Sequence, residues 1–368
     1  MMKYTFGILM VSFGEPENAT PREVIPFLER IFLSNVPLEQ FPDEAARRAR
    51  CRELARKRAP GLIEDYRRIG GSPLNAQSHA EASALESLLT RRGFSARVYV
   101  ATQFTDPTIA SAVSRAKRDG VASLIALPVY PICGFSTTVS SLDAAARAVD
   151  RAGWGAPVPE ISGWHHDAAY TRLRADDIRD FARREKLDLA DPDTLLYFSA
   201  HGTPIKYLDM GSRYDGYVAE HCARVASLLG VGNYQVGYQN HSNRGIAWTG
   251  PDNATVIPTL AERRVVVVPI SFVHEQSETL AELDIDFRTA VEGRGIAYHR
   301  VPTPSDRARM AEILADLVEP FLTGRSASAR GLFPCRCRPR LGTVCTNGNR
   351  AVDCHYARAV ARSPAMDG

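Results

Sequence analysis

Two stretches of this chain hold apolar side chains with no alternation. Thr194-Leu-Leu-Tyr-Phe-Ser199 runs into Ala-His201-Gly-Thr-Pro204, and Val265-Val-Val-Val-Pro-Ile-Ser271 runs into Phe-Val-His-Glu275-Gln-Ser-Glu278. A strand with one wet face alternates polar and apolar residues, so a continuous run is a strand covered on both faces, as in a parallel sheet flanked by helices. Ligands of such sheets bind beyond the carboxyl ends of the strands. Each run delivers a lone His or a Glu cluster at that edge, so one base and a row of acids are expected to face a common cleft. That is equipment for removing protons and handling a cation.

The rest of the chain repeats the pattern. Strand-like runs near 5–12, 97–101, 122–130, 157–162, 194–200, 234–238, 265–271 and 296–301 alternate with amphipathic stretches near 21–33, 76–92, 107–119, 139–152, 167–184, 212–229, 277–292 and 305–323. This βαβ order predicts an α/β fold of two Rossmann-like lobes, each with a four-stranded parallel sheet flanked by helices and with a cleft between them. The Gly- and Pro-containing stretch before Trp164 marks the crossover, giving lobes at 1–163 and 164–304. The helix at 305–323 is expected to return to the first lobe. The Gly/Ser/Arg/Pro-rich tail at 324–368 is expected to be irregular, its order depending on what its cysteines bind.

Composition removes several classes. A chain of 368 residues that is 45% hydrophobic and 24% charged is ordinary globular protein, and a formal charge of +3 gives no nucleic-acid surface. The apolar run at Tyr4–Ser12 is too short for a membrane span and lacks a cleavage signal, so the cytoplasm is the expected compartment. Cys51, Cys133 and Cys222 are scattered, whereas Cys335, Cys337, Cys345 and Cys354 crowd the tail. In a cytosolic chain such crowding favours metal over disulfide.

Four groups of residues carry chemistry. His201 sits on a tight loop after a buried strand, where an imidazole serves either as a base near neutral pH or only as a loop hydrogen-bonder. Glu275, Glu278, Glu282 and Asp286 recur at helical steps as one carboxylate stripe, which is either solvated or metal-handling, with His274 beside it. Trp248, on the loop Tyr238–Pro251, is placed against a flat ligand or in a core. The segment Tyr66-Arg67-Arg68-Ile69-Gly70-Gly71-Ser72-Pro73-Leu74 is a basic helix end whose arginines can receive carboxylates. Upstream, Ile31, Phe32, Leu33 and Val36 form a helix end or a greasy pocket lip.

In this order the pieces resemble ferrochelatase over residues 4–322. The match includes Phe13-Gly14-Glu-Pro16, the Tyr66–Leu74 segment, Phe135-Ser136-Thr137-Thr138, Ser199-Ala-His201, the Tyr238–Pro251 loop and Ser277-Glu278-Thr279-Leu280. The resemblance implies insertion of ferrous iron into protoporphyrin IX or coproporphyrin III to form heme. It implies His201 as proton acceptor and metal-site residue, Glu278 as the cleft glutamate, and Glu275, Glu282 and Asp286 as acids along the metal route. Phe13, Tyr66, Arg67, Ser136 and Trp248 then contact the porphyrin. Some members carry a two-iron, two-sulfur cluster on a C-terminal extension, for which Cys335, Cys337, Cys345 and Cys354 supply four thiolates. Zinc, with His355 replacing one ligand, and unligated thiols are the competing readings.

The chain departs from the family at Gln276, where many members have His, at Gln103, where Arg is frequent, and at Asn240-His241, where small polar residues are usual. These keep open a chelatase for another metal or tetrapyrrole, and a non-catalytic tetrapyrrole binder. The apolar lip permits a peripheral membrane contact on the inner face of the membrane. Oligomeric state is not legible.

Overall fold

The computed structural model describes residues 4–34, 40–240 and 245–347. Among the described residues, ten strands form two sheets. They are β1 (Phe6–Ser12), β2 (Ala96–Thr102), β3 (Ser123–Pro128), β4 (Glu160–Ile161), β5 (Thr194–His201), β6 (Tyr234–Gln239), β7 (Arg264–Pro269), β8 (Ala297–Arg300), β9 (Phe333–Pro334) and β10 (Thr343–Cys345). The first sheet has the order β2-β1-β3-β4-β10-β9 and the second β6-β5-β7-β8. All pairs are parallel except β9 with β10.

The apolar runs become central strands. β1 lies between β2 and β3, with Phe6–Ser12 in register with Ala96–Thr102, and β5 lies between β6 and β7. Ile8, Leu9, Met10 and Val11 are wholly buried, as are Val266, Val267 and Val268, because helices cover both faces of each sheet. The helix Arg307–Thr323 packs Met310, Leu314 and Leu317 among Leu85, Leu89 and Ile125 of the first sheet's core.

Two features differ from the sequence reading. A 25-residue helix fills Glu44–Arg68, where the dense charge hides its buried positions Cys51, Ala55, Ala59, Leu62, Ile63 and Tyr66. The described part of the tail, 324–347, is not irregular throughout: it adds β10 and β9 to the first sheet, which therefore has six strands rather than four. Arg338 anchors it. This guanidinium is buried and donates from Nε to Glu160 Oε2 at 2.7 Å, with Asp143 on its other side. Thr343 Oγ1 reaches the same Glu160 oxygen at 2.6 Å. Among the described residues, no helix is long and apolar enough to cross a membrane.

Candidate active site

The carboxyl ends of the central strands open on one cavity of about 440 Å³, bounded by α1 (Pro21–Ser34) and α2 (Glu44–Arg68). His201, the last residue of β5, and Glu278, the first of a π-helical segment Glu278–Phe287 that follows β7, both line it. The His201 amide donates to Ser271 Oγ at 2.9 Å, and ring Nδ1 lies 2.6 Å from the Gly202 carbonyl. A carbonyl only accepts, so the neutral ring carries its proton on Nδ1 and its lone pair on Nε2, the arrangement of a base. Gly202 is required here. A Cβ would stand 2.9 Å from the Gln239 carbonyl and nearer still to Asn240 Oδ1.

Glu278 Oε2 accepts from Gln276 Nε2 at 2.8 Å and lies 3.1 Å from Ser277 Oγ. Gln276, which stands where many family members carry His, is thus a hydrogen-bond donor to the cleft glutamate. Glu15, in the loop after β1, also lines the cavity and is 2% exposed. It accepts from Tyr66 Oη at 3.0 Å, from Ser72 Oγ, and from Ser277 Oγ at 2.5 Å. Burial, and after it the charge of Glu278, push Glu15 up to about 7. Glu282 is pushed up to about 8 by the same two causes, while Gln239 Nε2 donates to it at 3.0 Å. Two carboxyls of the cavity wall therefore exchange protons near neutral pH, as acid–base chemistry requires.

Not every expected residue arrives. Phe13, Ser136 and Trp248 line the cavity with His201, Glu278 and Glu282. Phe13 packs edge-on to Phe104 at 4.7 Å. Tyr66 lies behind the wall, 1% exposed, as a donor to Glu15. Arg67, one position on and so roughly 100° round the helix, points outward and lies 3.7 Å from Glu64. Glu275 precedes the helical segment, so the carboxylate stripe does not include it. Arg300 holds its Oε1 at 2.8 Å, together with the Thr303 amide at 2.9 Å. Asp286 sits beyond the cavity, 55% exposed, paired with Arg68 at 2.5 Å. The cations that do face the cavity are Lys57 and Arg58 of α2, which the sequence reading lacked along with their helix. Gln103 donates to the Ser136 carbonyl at 3.2 Å and to Ser140 Oγ at 2.8 Å, and accepts from Tyr130 Oη at 2.5 Å, which fixes the turn carrying Ser136.

Comparison with known proteins settles the family. The sequence profile named Ferrochelatase matches residues 5–321. The chain belongs to the ferrochelatase family. A ferrochelatase of Synechococcus sp. strain JA-3-3Ab is 35% identical over 335 residues, covering 86% of this chain and 93% of the relative. Another, from Synechococcus sp. strain JA-2-3B'a(2-13), is 34% identical over 346 residues, covering 89% and 96%. The fold is also that of SirB from Bacillus subtilis, solved with ferric iron, at a TM-score of 0.51 and 10% identity over 87% of this chain and 96% of that one. As a ferrochelatase, the chain is a metal chelatase of the lyase class acting in heme biosynthesis, with ferrous iron as its metal substrate.

The tail of this ferrochelatase brings thiols together in a way its spacing does not reveal. Cys335, Cys337 and Cys345 are buried in one cluster with Cys133, which the sequence placed among the scattered cysteines. A hydrogen bond from Cys345 and another from Ser162 hold the Cys335 thiol down to about 6, despite its burial. Burial, and then the neighbouring Cys335 charge, push Cys133 up. Tyr217 Oη lies 3.0 Å from Cys337 Sγ. Cys337 is in a disulfide, which the sequence reading ranked below metal, whereas Cys133, Cys335 and Cys345 are free thiols. Cys354, His355, Val36 and His241 lie outside the described residues.

A second group, His165, His166 and Glu220, has metal-like spacing. Arg224 lies 3.0 Å from His166 Nδ1, and an arginine only donates, so His166 holds its proton on Nε2, 2.8 Å from Glu220. That nitrogen has no lone pair for a cation.

Proposed function

We propose that the cavity binds a porphyrin between Phe13, Ser136 and Trp248 and that His201 takes the pyrrole protons as iron enters. A free-base ring keeps its nitrogen lone pairs and two N–H protons in plane, so a metal enters only a bent ring with a base on one face. His201 has the lone pair on Nε2 for that work. Glu278, held by Gln276, passes iron or a proton, with Glu282 next along the wall. Lys57 and Arg58 receive the acidic substituents of the ring, in place of Arg67. The observation that carries this reading is that His201 and Glu278 line one cavity.

The test is anaerobic incubation with iron(II) and, separately, protoporphyrin IX and coproporphyrin III, followed at the Soret band. His201→Ala is expected to slow insertion by about 10²-fold or more, the worth of a general base. Wild-type rates in that variant would remove the assignment. The same assay decides between the two rings.

Cys133, Cys335, Cys345 and, once reduced, Cys337 lie in one core cluster and supply four thiolates, the number that a two-iron, two-sulfur cluster needs. Such a cluster supplies a redox-sensitive cross-link between the tail and the lobes. Visible absorption and sulfide content of anaerobically purified protein test it. Loss in Cys133→Ser supports this set, and retention there with loss in Cys354→Ser restores the set read from the tail alone.

We read 1–163 and 164–304 as the lobes, and the cytoplasm as the compartment. Ile31 and Phe32 at the cavity mouth favour peripheral contact with a membrane, which vesicle flotation tests.

A further inference from the structure

Buried polar atoms almost always have hydrogen-bond partners, and one left without costs roughly 1–3 kcal/mol. Among the described residues, eight of the fourteen side-chain atoms without a well-formed hydrogen bond belong to five neighbouring residues: Glu81 Oε1, Tyr170 Oη, Nε and one terminal nitrogen of Arg174, and both ring nitrogens of His165 and of His221, which keep only weaker contacts, His165 with Glu220 and the Pro131 carbonyl and His221 with the His165 carbonyl. Unpartnered polar atoms gathered in one interior region are what ordered internal water satisfies.

These residues form a file from the cavity to the surface. His274 lines the cavity, and its Nε2 lies 2.5 Å from Glu81 Oε2 on the helix Leu74–Arg91. Tyr170 packs in one core cluster with Ala82 and Leu85 of that helix, next to Glu81, whose carboxylate adds a little to the burial that raises the Tyr170 hydroxyl. The Tyr170 ring stacks on His221, with centroids 5.3 Å apart and planes at 7°. His221 stands 6.4 Å from His165, centroid to centroid. His165 Nε2 lies 4.0 Å from Glu220 Oε2, and the Glu220 side chain is 31% exposed. Arg174, fully buried, flanks the file and is paired with Asp177 at 3.1 Å.

We propose that this file is the exit for the protons that the macrocycle loses, running from His274 through Glu81, Tyr170, His221 and His165 to Glu220, with water bridging the gaps between them. The proposal rests on the metal-insertion reading of the cavity. Each insertion breaks two N–H bonds and replaces two protons with one doubly charged ion, so two protons must reach solvent per turnover. The bound ring fills the cavity on its open side, and an internal route lets protons leave without passing it. Hydroxyl, carboxyl and imidazole each accept a proton on one atom and release it from another. Burial lowers the proton affinity of His165 and His221, so neither traps what it receives. A purely structural cluster would gain by having apolar side chains in these positions.

The experiment is a single turnover in weak buffer with a pH-indicator dye, the Soret band and the dye being followed together. Tyr170→Phe removes one buried hydroxyl that holds no partner, so folding stability is expected to stay level or rise. The proposal expects proton release and metal insertion in Tyr170→Phe and Glu81→Gln to slow by at least about tenfold, with porphyrin affinity unchanged and the rate restored by millimolar imidazole. Wild-type rates of proton release in both variants would overturn it, as would slowing that imidazole does not restore and that follows a fall in stability. If the wild-type protein makes no metalloporphyrin, the underlying reading fails first; if it does and the variants match it, only the route fails.

Discussion

Replacing Glu15 with Gln gives a prediction whose size follows from the site. Glu15 is raised from an ordinary 4.5 to about 7 by burial and by Glu278. Below pH 4.5 the carboxyl is protonated folded or unfolded, and the fold bears no cost. Above that the unfolded chain ionises while the folded one does not, so stability falls with rising pH until the folded group also ionises near 7. Over the whole range this comes to about 3 kcal/mol, at 1.36 kcal/mol per pH unit, and between pH 5.5 and 8 to about 2 kcal/mol. Glu15→Gln lacks this titration. Its absolute stability will also change, because an amide accepts less well from Tyr66, Ser72 and Ser277 than a carboxyl does, but that cost does not vary with pH. The informative quantity is therefore the difference between the proteins at the two pH values. Urea unfolding at pH 5.5 and 8 should show the variant gaining about 2 kcal/mol on the wild type as pH rises. Parallel curves would mean that Glu15 is an ordinary carboxylate, and the reading of a proton-holding cavity wall would lose its main support.

Other outcomes follow from single contacts. Arg338→Ala strands the Glu160 carboxylate, 2% exposed, and should cost about 3–5 kcal/mol in chemical unfolding. Gly202→Ala should fold less stably and lose metal insertion in the Soret assay, because its Cβ pushes the His201 loop from Gln239 and Asn240. Gln276→Leu removes the amide donor to Glu278 and should raise the KM for iron(II) more than that for porphyrin, since the ring contacts lie elsewhere.

The strands were legible because a doubly covered strand has no polar alternation to confuse it, and β1, β5 and β7 fall where the apolar runs lie. His201 and Glu278 were legible for the same reason, as they stand where such strands end. Glu15 stands at the end of β1 by the same rule and could have been found by it; its buried partners, however, come from Ser72 and Ser277, far along the chain. The helix Glu44–Arg68 was hidden because its few inward residues, Cys51 to Tyr66, are thinly spread among many arginines. Glu275 was misplaced because helical spacing was extended upstream of the segment's first turn. Cys133 could not be grouped with the tail, since the sequence gives no sign that β10 comes to lie beside β4.

That pairing bears on how the chain is made. β4 leaves the ribosome long before β10, so through synthesis of the whole second lobe the first sheet presents a bare edge able to pair with another nascent chain. Glu160, on that edge, is an inward-directed charge awaiting its arginine, and it discourages foreign strands until the correct one arrives. A chain cut short ahead of Arg338 would expose that edge permanently, and its characteristic failure would be clumping during expression rather than a weakened catalyst.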